Sequence, residues 1–149
     1  MAGRSKISDQ VQEEVRRRAS YLCEYCHASE RWQYVSFTVD HVKPFSLGGG
    51  DGLENLALAC FHCNRRKTNR VSVVAIKTGN EIPLFNPRKD DWGEHFVWSA
   101  NGLSIIGRTL IGRATVEALA LNRERVFSIR AADKEIGRHP PLGDPIQSN

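Results

Sequence analysis

Four cysteines stand in two C-x-x-C pairs, Cys23/Cys26 and Cys60/Cys63, and between or directly beyond them fall Asp40, His41, Asn55 and Asn64. Two such pairs supply the four thiolates that a closed tetrahedral zinc site takes, and zinc knuckles present them at this spacing. A disulfide pairing is disfavoured in a reducing compartment. A redox C-x-x-C needs only one pair, usually at a helix start in a βαβ setting, and leaves the second unexplained. The expectation is therefore one structural Zn²⁺ held by Cys23, Cys26, Cys60 and Cys63. A closed site of that kind does no catalysis itself.

The polar residues are each unremarkable alone. An Asp at a strand end commonly caps a turn, a lone His is usually structural, and an Asn beside glycine usually serves loop geometry. One ion bound by both cysteine pairs, however, draws their flanking segments together, and Asp40, His41, Asn55 and Asn64 all lie on those segments. A second site beside the knot is expected. Arg65, Arg66, Lys67 and Arg70 follow immediately, where their charge would meet the phosphates of a nucleic acid. The bland alternative for that run is a solvated helix face.

The elements that must position these residues are short. Ser8 to Ser20 reads as a helix, with Ser8 as N-cap, Val11, Val15 and Ala19 on one stripe and Arg16, Arg17 and Arg18 on the other face. Trp32 to Val39 alternates Val35, Phe37 and Val39 with polar residues, the period of a half-buried strand ending at Asp40-His41. Pro44, Ser46 and the run Gly48 to Gly52 make 42–54 a loop. Leu56 to Ala59 reads as a second strand running into the second knuckle, and Asn64 to Arg70 as a short exposed helix. Further on, Val71 to Ile76 and Ile82 to Phe85 suggest a loose hairpin. Phe96 to Ser99 and Leu103 to Ile106 flank Asn101-Gly102, a hairpin signal. Arg113 to Leu121 reads as helix, and Asn122 as the cap of another with Val126, Ile129 and Ala132 on its face. The tail 138–149 is proline-rich and expected to be disordered.

The ordered set Cys23-x-x-Cys26, Val39-Asp40-His41-Val42-x-Pro44, Gly48-Gly49-Gly50, Glu54-Asn55-Leu56 and Cys60-x-x-Cys63-Asn64-x-x-Lys67 resembles the HNH endonucleases, a family of ββα-metal nucleases, over about residues 15 to 70. The resemblance implies an α+β fold with a small zinc-stabilised ββα-metal core, which with the N-terminal helix takes up 1–75; the elements read beyond it are expected to form a C-terminal extension of hairpin and helices packed on the core (76–137), followed by the tail. It also implies that Asp40 is a metal ligand, His41 the general base, Asn55 the residue orienting His41, and Asn64 the second protein ligand, with His62 an alternative in that slot. A neutral imidazole can activate water at cellular pH. A hard divalent ion on one carboxylate and one amide keeps open positions for the phosphate and the leaving oxygen. Such sparse ligation implies Mg²⁺ or Mn²⁺, with Ni²⁺ or Co²⁺ able to substitute.

Composition agrees with this and excludes little else. Of 149 residues, 40% are hydrophobic and 26% charged, which suits a folded domain, and the net charge of +4 permits a polyanionic partner; the resemblance implies that this partner is nucleic acid, double-stranded DNA first. The longest apolar runs, Leu56 to Cys60 and Val73 to Ile76, are far short of a membrane span. Met1 to Gln12 shows no secretory pattern, so a cytoplasmic location is expected. Phe37, Phe45 and Phe61 are expected to pack in the core or the knuckles, leaving no stacking platform and low sequence specificity. The rival function is a non-catalytic zinc-dependent nucleic-acid-binding module, which would keep the cysteines and basic residues without requiring Asp40, His41 and Asn64 together. An interaction domain using zinc only for stability is a third.

Overall fold

Ser8 begins the first helix for a local reason: its backbone is extended and its hydroxyl accepts a hydrogen bond from the Val11 amide at 3.2 Å, capping α1 (Asp9–Arg18). The computed structural model describes residues 7–148, so Met1 to Lys6 of the N-terminal stretch, and Asn149, lie outside the described residues. Val15 on α1 is fully buried. Two of the arginines read as an outer face reach inward instead. Arg16 pairs with Glu30 at 3.0 Å and donates to the Phe37 carbonyl at 2.9 Å, and Arg18 donates to the Leu56 carbonyl.

Those bonds explain where the first strand starts. The Phe37 amide is taken by the Glu30 carboxylate at 2.7 Å and its carbonyl by Arg16, so the backbone here bonds to side chains and not to a strand ladder. Residues 30–32 form a single 3₁₀ turn, and Tyr34 and Val35 are exposed. The strand predicted over 32–39 is consequently confined to β1 (Thr38–His41). It pairs antiparallel with β2 (Leu56–Ala59), Asp40 opposite Ala57 and His41 opposite Leu56. The chain then enters α2 (Phe61–Lys67), three residues earlier than the polar run suggests, because Cys60 is its N-cap: the Cys60 sulfur accepts from the Cys63 amide at 3.3 Å. Strand, strand and helix thus form the ββα unit.

The rest of the chain adds two hairpins and three helices: β3 (Ser72–Val74) with β4 (Glu81–Pro83), α3 (Trp92–His95), β5 (Phe96–Trp98) with β6 (Ile105–Gly107), α4 (Leu110–Ala118) and α5 (Glu124–Glu135). The fold is α+β, with three two-stranded antiparallel sheets among the described residues. The second of these hairpins closes through a Ser99–Ser104 bond of 2.8 Å, so its loop is longer than a two-residue Asn-Gly turn. One apolar cluster runs through all of it, from Val15 and Tyr25 through Leu56 and Leu58 to Phe85, Trp92, Trp98 and Leu119. The Trp92 indole donates to the Tyr25 carbonyl at 2.9 Å, tying the extension to the first knuckle. No described helix is long and apolar enough to cross a membrane.

Two features depart from the sequence reading. Asn122 does not cap α5. Its amide instead brackets Ile105, accepting from the nitrogen and donating to the carbonyl at 2.8 Å each, which fixes β6. Arg123 stands at the cap position and Ile129 is half exposed. The tail, expected to be disordered, is laid along β5: the Trp98 amide donates to the Pro145 carbonyl and the Gln147 amide to the Trp98 carbonyl, both at 2.9 Å. Asp144 accepts from the Trp98 indole at 2.9 Å and from the His27 ring at 2.7 Å, while that ring stacks on Trp92 at 4.0 Å. A polar composition does not exclude order when one carboxylate satisfies two half-buried donors.

Asp144→Ala leaves the His27 and Trp98 donors without their acceptor. It should lower stability by about 1 to 3 kcal/mol, read as a shifted urea midpoint. An unchanged midpoint would show that the tail is not held by this carboxylate.

Candidate active site and metal centre

The four cysteine sulfurs lie within 4.8 Å of one another and all four residues are buried. Sulfurs bound to one zinc at about 2.3 Å at tetrahedral angles stand about 3.8 Å apart. Cys26 and Cys60 are separated by 3.8 Å, far outside disulfide length, and all four cysteines are free. Each knuckle folds back on its own first sulfur, the Cys26 amide pointing at Cys23 at 3.5 Å and the Cys63 amide at Cys60 at 3.3 Å. Burial pushes the Cys23 thiol well above its ordinary range. Four thiolates gathered in such a place need a cation, so the donor set fits a structural zinc.

Asp40 and His41 are neighbours on β1, and a strand sends successive side chains to opposite faces. Asp40 points inward and is only 6% exposed. Its Oδ2 accepts from the Tyr25 hydroxyl at 2.9 Å and pairs with the Lys67 ammonium at 3.2 Å. Burial raises the Asp40 carboxyl above its usual range, and Lys67 and Tyr25 pull it back. The Tyr25 phenol is held well above its own range by burial and by Asp40, so it remains a donor.

His41 lies on the other face, its Nε2 at 2.7 Å from Asp51 Oδ1. A carboxylate only accepts, so Nε2 carries the proton. Asp51 was not singled out in the sequence, although it is the one carboxylate within the glycine run 48–52. Asn55 holds that loop in place. It accepts from the Lys43 amide at 2.9 Å and donates to the Lys43 carbonyl at 2.9 Å and the Gly50 carbonyl at 2.8 Å. Asn55 therefore acts on the backbone two residues after His41 and one before Asp51, and the ring contact belongs to Asp51. Gly49 is required here: a Cβ would sit 1.7 Å from the Lys43 carbonyl oxygen and 2.8 Å from the Asn55 amide nitrogen. The loop opens onto a hollow of about 430 Å³ shared by Lys43, Asn55, Lys67, Arg70 and Arg88.

On α2 the expected residues separate. Asn64 is half-buried and one turn before Lys67, a spacing that puts both on one side of the helix. The Nε2 of His62 donates to the Leu119 carbonyl at 2.9 Å, at the end of α4. Arg65 and Arg66 are exposed, with Arg65 over the exposed Phe61 ring at 5.5 Å. Lys67 corrects the expectation of a phosphate contact. It is 2% exposed, is the ion-pair partner of Asp40, and also donates to the His41 carbonyl at 3.1 Å. Arg70 is likewise occupied, closing the helix end through the carbonyls of Arg66 at 2.5 Å and Ala118 at 3.3 Å. A helix of period 3.6 carries Cys63 and Lys67 on one buried face, which no count of basic residues reveals.

A family model described as HNH endonuclease matches residues 23–70, from the first zinc cysteine to the end of the basic run. Residues 23–70 are thus similar to a family associated with nuclease-type function and nucleic-acid binding, and the cysteine cluster fits a zinc-stabilised core. No curated protein matches the chain.

One zinc per chain is expected by elemental analysis. Cys26→Ser or Cys60→Ser should unfold residues 23–70, since such sites couple roughly 10 to 16 kcal/mol of apparent metal affinity to folding. A metal-free protein with native circular dichroism would remove the knot.

Proposed function

We propose that the chain is a divalent-metal-dependent endonuclease that hydrolyses phosphodiester bonds, with double-stranded DNA as substrate class and low sequence specificity. The observation that carries this reading is the His41–Asp51 pair, 2.7 Å apart, set beside the buried Asp40 within residues 23–70. With the proton on Nε2 directed to Asp51, the lone pair lies on Nδ1, and that nitrogen takes the proton from the attacking water. Asp51 steadies the imidazolium that results. Asp40, through its carboxylate, and Asn64, through its amide oxygen, would hold the catalytic cation. When bound, Mg²⁺ or Mn²⁺ supplies charge stabilisation to the phosphorane and the leaving oxygen. Arg65 and Arg66 meet the flanking phosphates, a contact that confers affinity without base reading. A knot of four zinc-bound thiolates would suit a reducing compartment such as the cytoplasm.

A second reading rests on Lys67. Its ammonium already neutralises Asp40 at 3.2 Å, so the carboxylate is satisfied without a metal, as a non-catalytic nucleic-acid-binding module would have it. The two readings differ in one assay.

Supercoiled plasmid incubated with a panel of divalent ions should be nicked by the wild-type chain. His41→Ala should reduce the rate by roughly 10² to 10⁴ while leaving DNA affinity intact, and Asp51→Asn should reduce it less. Asp40→Ala and Asn64→Ala should shift the metal titration to higher concentration, with His62→Ala mild. Full activity in His41→Ala removes the mechanism, and no cleavage with any ion, at unchanged affinity, leaves the binding module.

A further inference from the structure

At the opposite ends of β1 and α2 from His41 and Lys67 lies a second and larger cleft. It is walled by the segment after the first knuckle, the start of α2 and the length of α5, and has a volume of about 590 Å³. Five arginines line it: Arg31, Arg123, Arg125, Arg130 and Arg138, against one carboxylate, Asp133. None of the five forms an ion pair among the described residues. Five arginines less one carboxylate leave +4 around one hollow, equal to the net charge of the whole chain. Arg130 is only 7% exposed, and its hydrogen bonds go to the carbonyls of Leu103 and Leu121 and the amide of Asn122, none of them anionic. Burial pushes its guanidinium down to about 10, which still leaves it charged at neutral pH. One Arg123 nitrogen, Nη1, is buried with no hydrogen-bond partner. Buried unmatched donors and unpaired guanidinium charge both call for an anion.

The rim adds a second kind of contact. Trp32 is 47% exposed with the Arg138 guanidinium over its ring at 3.8 Å, and Tyr34 is fully exposed. Exposed rings interleaved with arginine suit unpaired bases, whose faces stack on aromatics while the backbone follows the positive groove. A duplex keeps its base faces inside and would use the arginines alone.

We propose that this cleft is a binding site for single-stranded nucleic acid, taking the unpaired strand that flanks the bond cut at His41. The choice of nucleic acid rests on the nuclease reading above. From Phe37, on the cleft, to His41 is four residues of extended chain, about 13 Å. That is about four nucleotides at ~3.4 Å per stacked step. The preferred substrate is therefore a duplex bearing a short unpaired tract, such as a flap, gap or overhang.

The test measures fluorescence anisotropy of the full chain with labelled oligothymidylate, oligouridylate and a duplex of equal length, over a range of salt. The wild-type protein should bind at least one single strand more tightly than the duplex. Tyr34→Ala should weaken single-strand binding by roughly 5- to 100-fold, as loss of one stacking platform does, with Tyr34→Phe retaining it. Arg125→Ala should lower the single-strand salt slope by about 0.7, one phosphate contact. Both side chains are exposed, so neither change should disturb folding. Equal affinity for single strand and duplex, or unaltered single-strand binding in both variants, overturns the proposal, as does no binding of either oligomer, which would assign the cleft to a protein partner. Nicking is read separately: single-strand binding without nicking sinks the nuclease reading alone, and nicking without single-strand preference sinks the cleft alone.

Discussion

Four sulfurs held within 4.8 Å of one another in a buried site set the terms for everything around them. Thiols can crowd there, but thiolates cannot without a cation, so the packing of this region is conditional on metal. The dependence reaches beyond the ligands. Cys60 is at once the residue after β2, a member of the four-cysteine cluster and the N-cap of α2, so strand, cluster and helix meet at its sulfur. The first knuckle hands over directly to the same sheet: the Glu24 amide donates to the Leu58 carbonyl and the Leu58 amide to the Glu24 carboxylate, each at 2.8 Å. Loss of a metal from such a cluster would therefore loosen the ββα unit from within, at the point where both knuckles join the apolar cluster.

The pleat of β1 then sorts the chemistry. Two adjacent residues cannot share a face, so Asp40 goes to the dry side with Tyr25 and Lys67, and His41 to the side where Asp51 and the glycine loop stand. The two environments ask for different supports. A carboxylate away from water needs a counter-charge or a hydrogen-bond donor and has both. An imidazole needs its ring held at one tautomer, which a carboxylate on the neighbouring loop does. Asn55 makes the second arrangement possible by bonding the loop at both ends, and Gly49 by leaving the space in which that amide sits.

Local signals carried most of the unit that builds the site. The C-x-x-C pairs, the Ser8 cap, the apolar run of β2 and the hairpins on either side of α3 are each written in a few contiguous residues, and spacing alone reads them. What escaped was set by side chains crossing between segments. The Phe37 backbone is claimed by Arg16 and Glu30, so the strand starts later than its alternation suggests. Asn122 has the chemistry of a cap but spends it on Ile105. Phe45 and Phe61, read as packing residues, are exposed, because the loop and the helix start that carry them face outward. Asp51 pairs with His41 across ten positions, and no local pattern marks it.

The arginines show why composition could not locate the interface. The charge excess is small, but the chain divides its arginines into two populations. Arg16, Arg18, Arg70 and Arg88 are spent inside, on Glu30, Leu56, Ala118 and Glu24 respectively, where they replace missing backbone or carboxylate partners. Others, on α2 and around the cleft by α5, have no carboxylate partner among the described residues. Only the second population is available to a polyanion, and it lies at both ends of α2 and not along a single stripe. A guanidinium paired with a carboxylate brings little further electrostatic attraction, because its field is largely compensated at short range, whereas one bonded only to neutral oxygens, as Arg130 is, keeps its charge. The uncompensated arginines therefore run from the cleft beside α5 past the exposed ring of Phe61 to the outer face of α2, a distribution that only the packing of the helices creates.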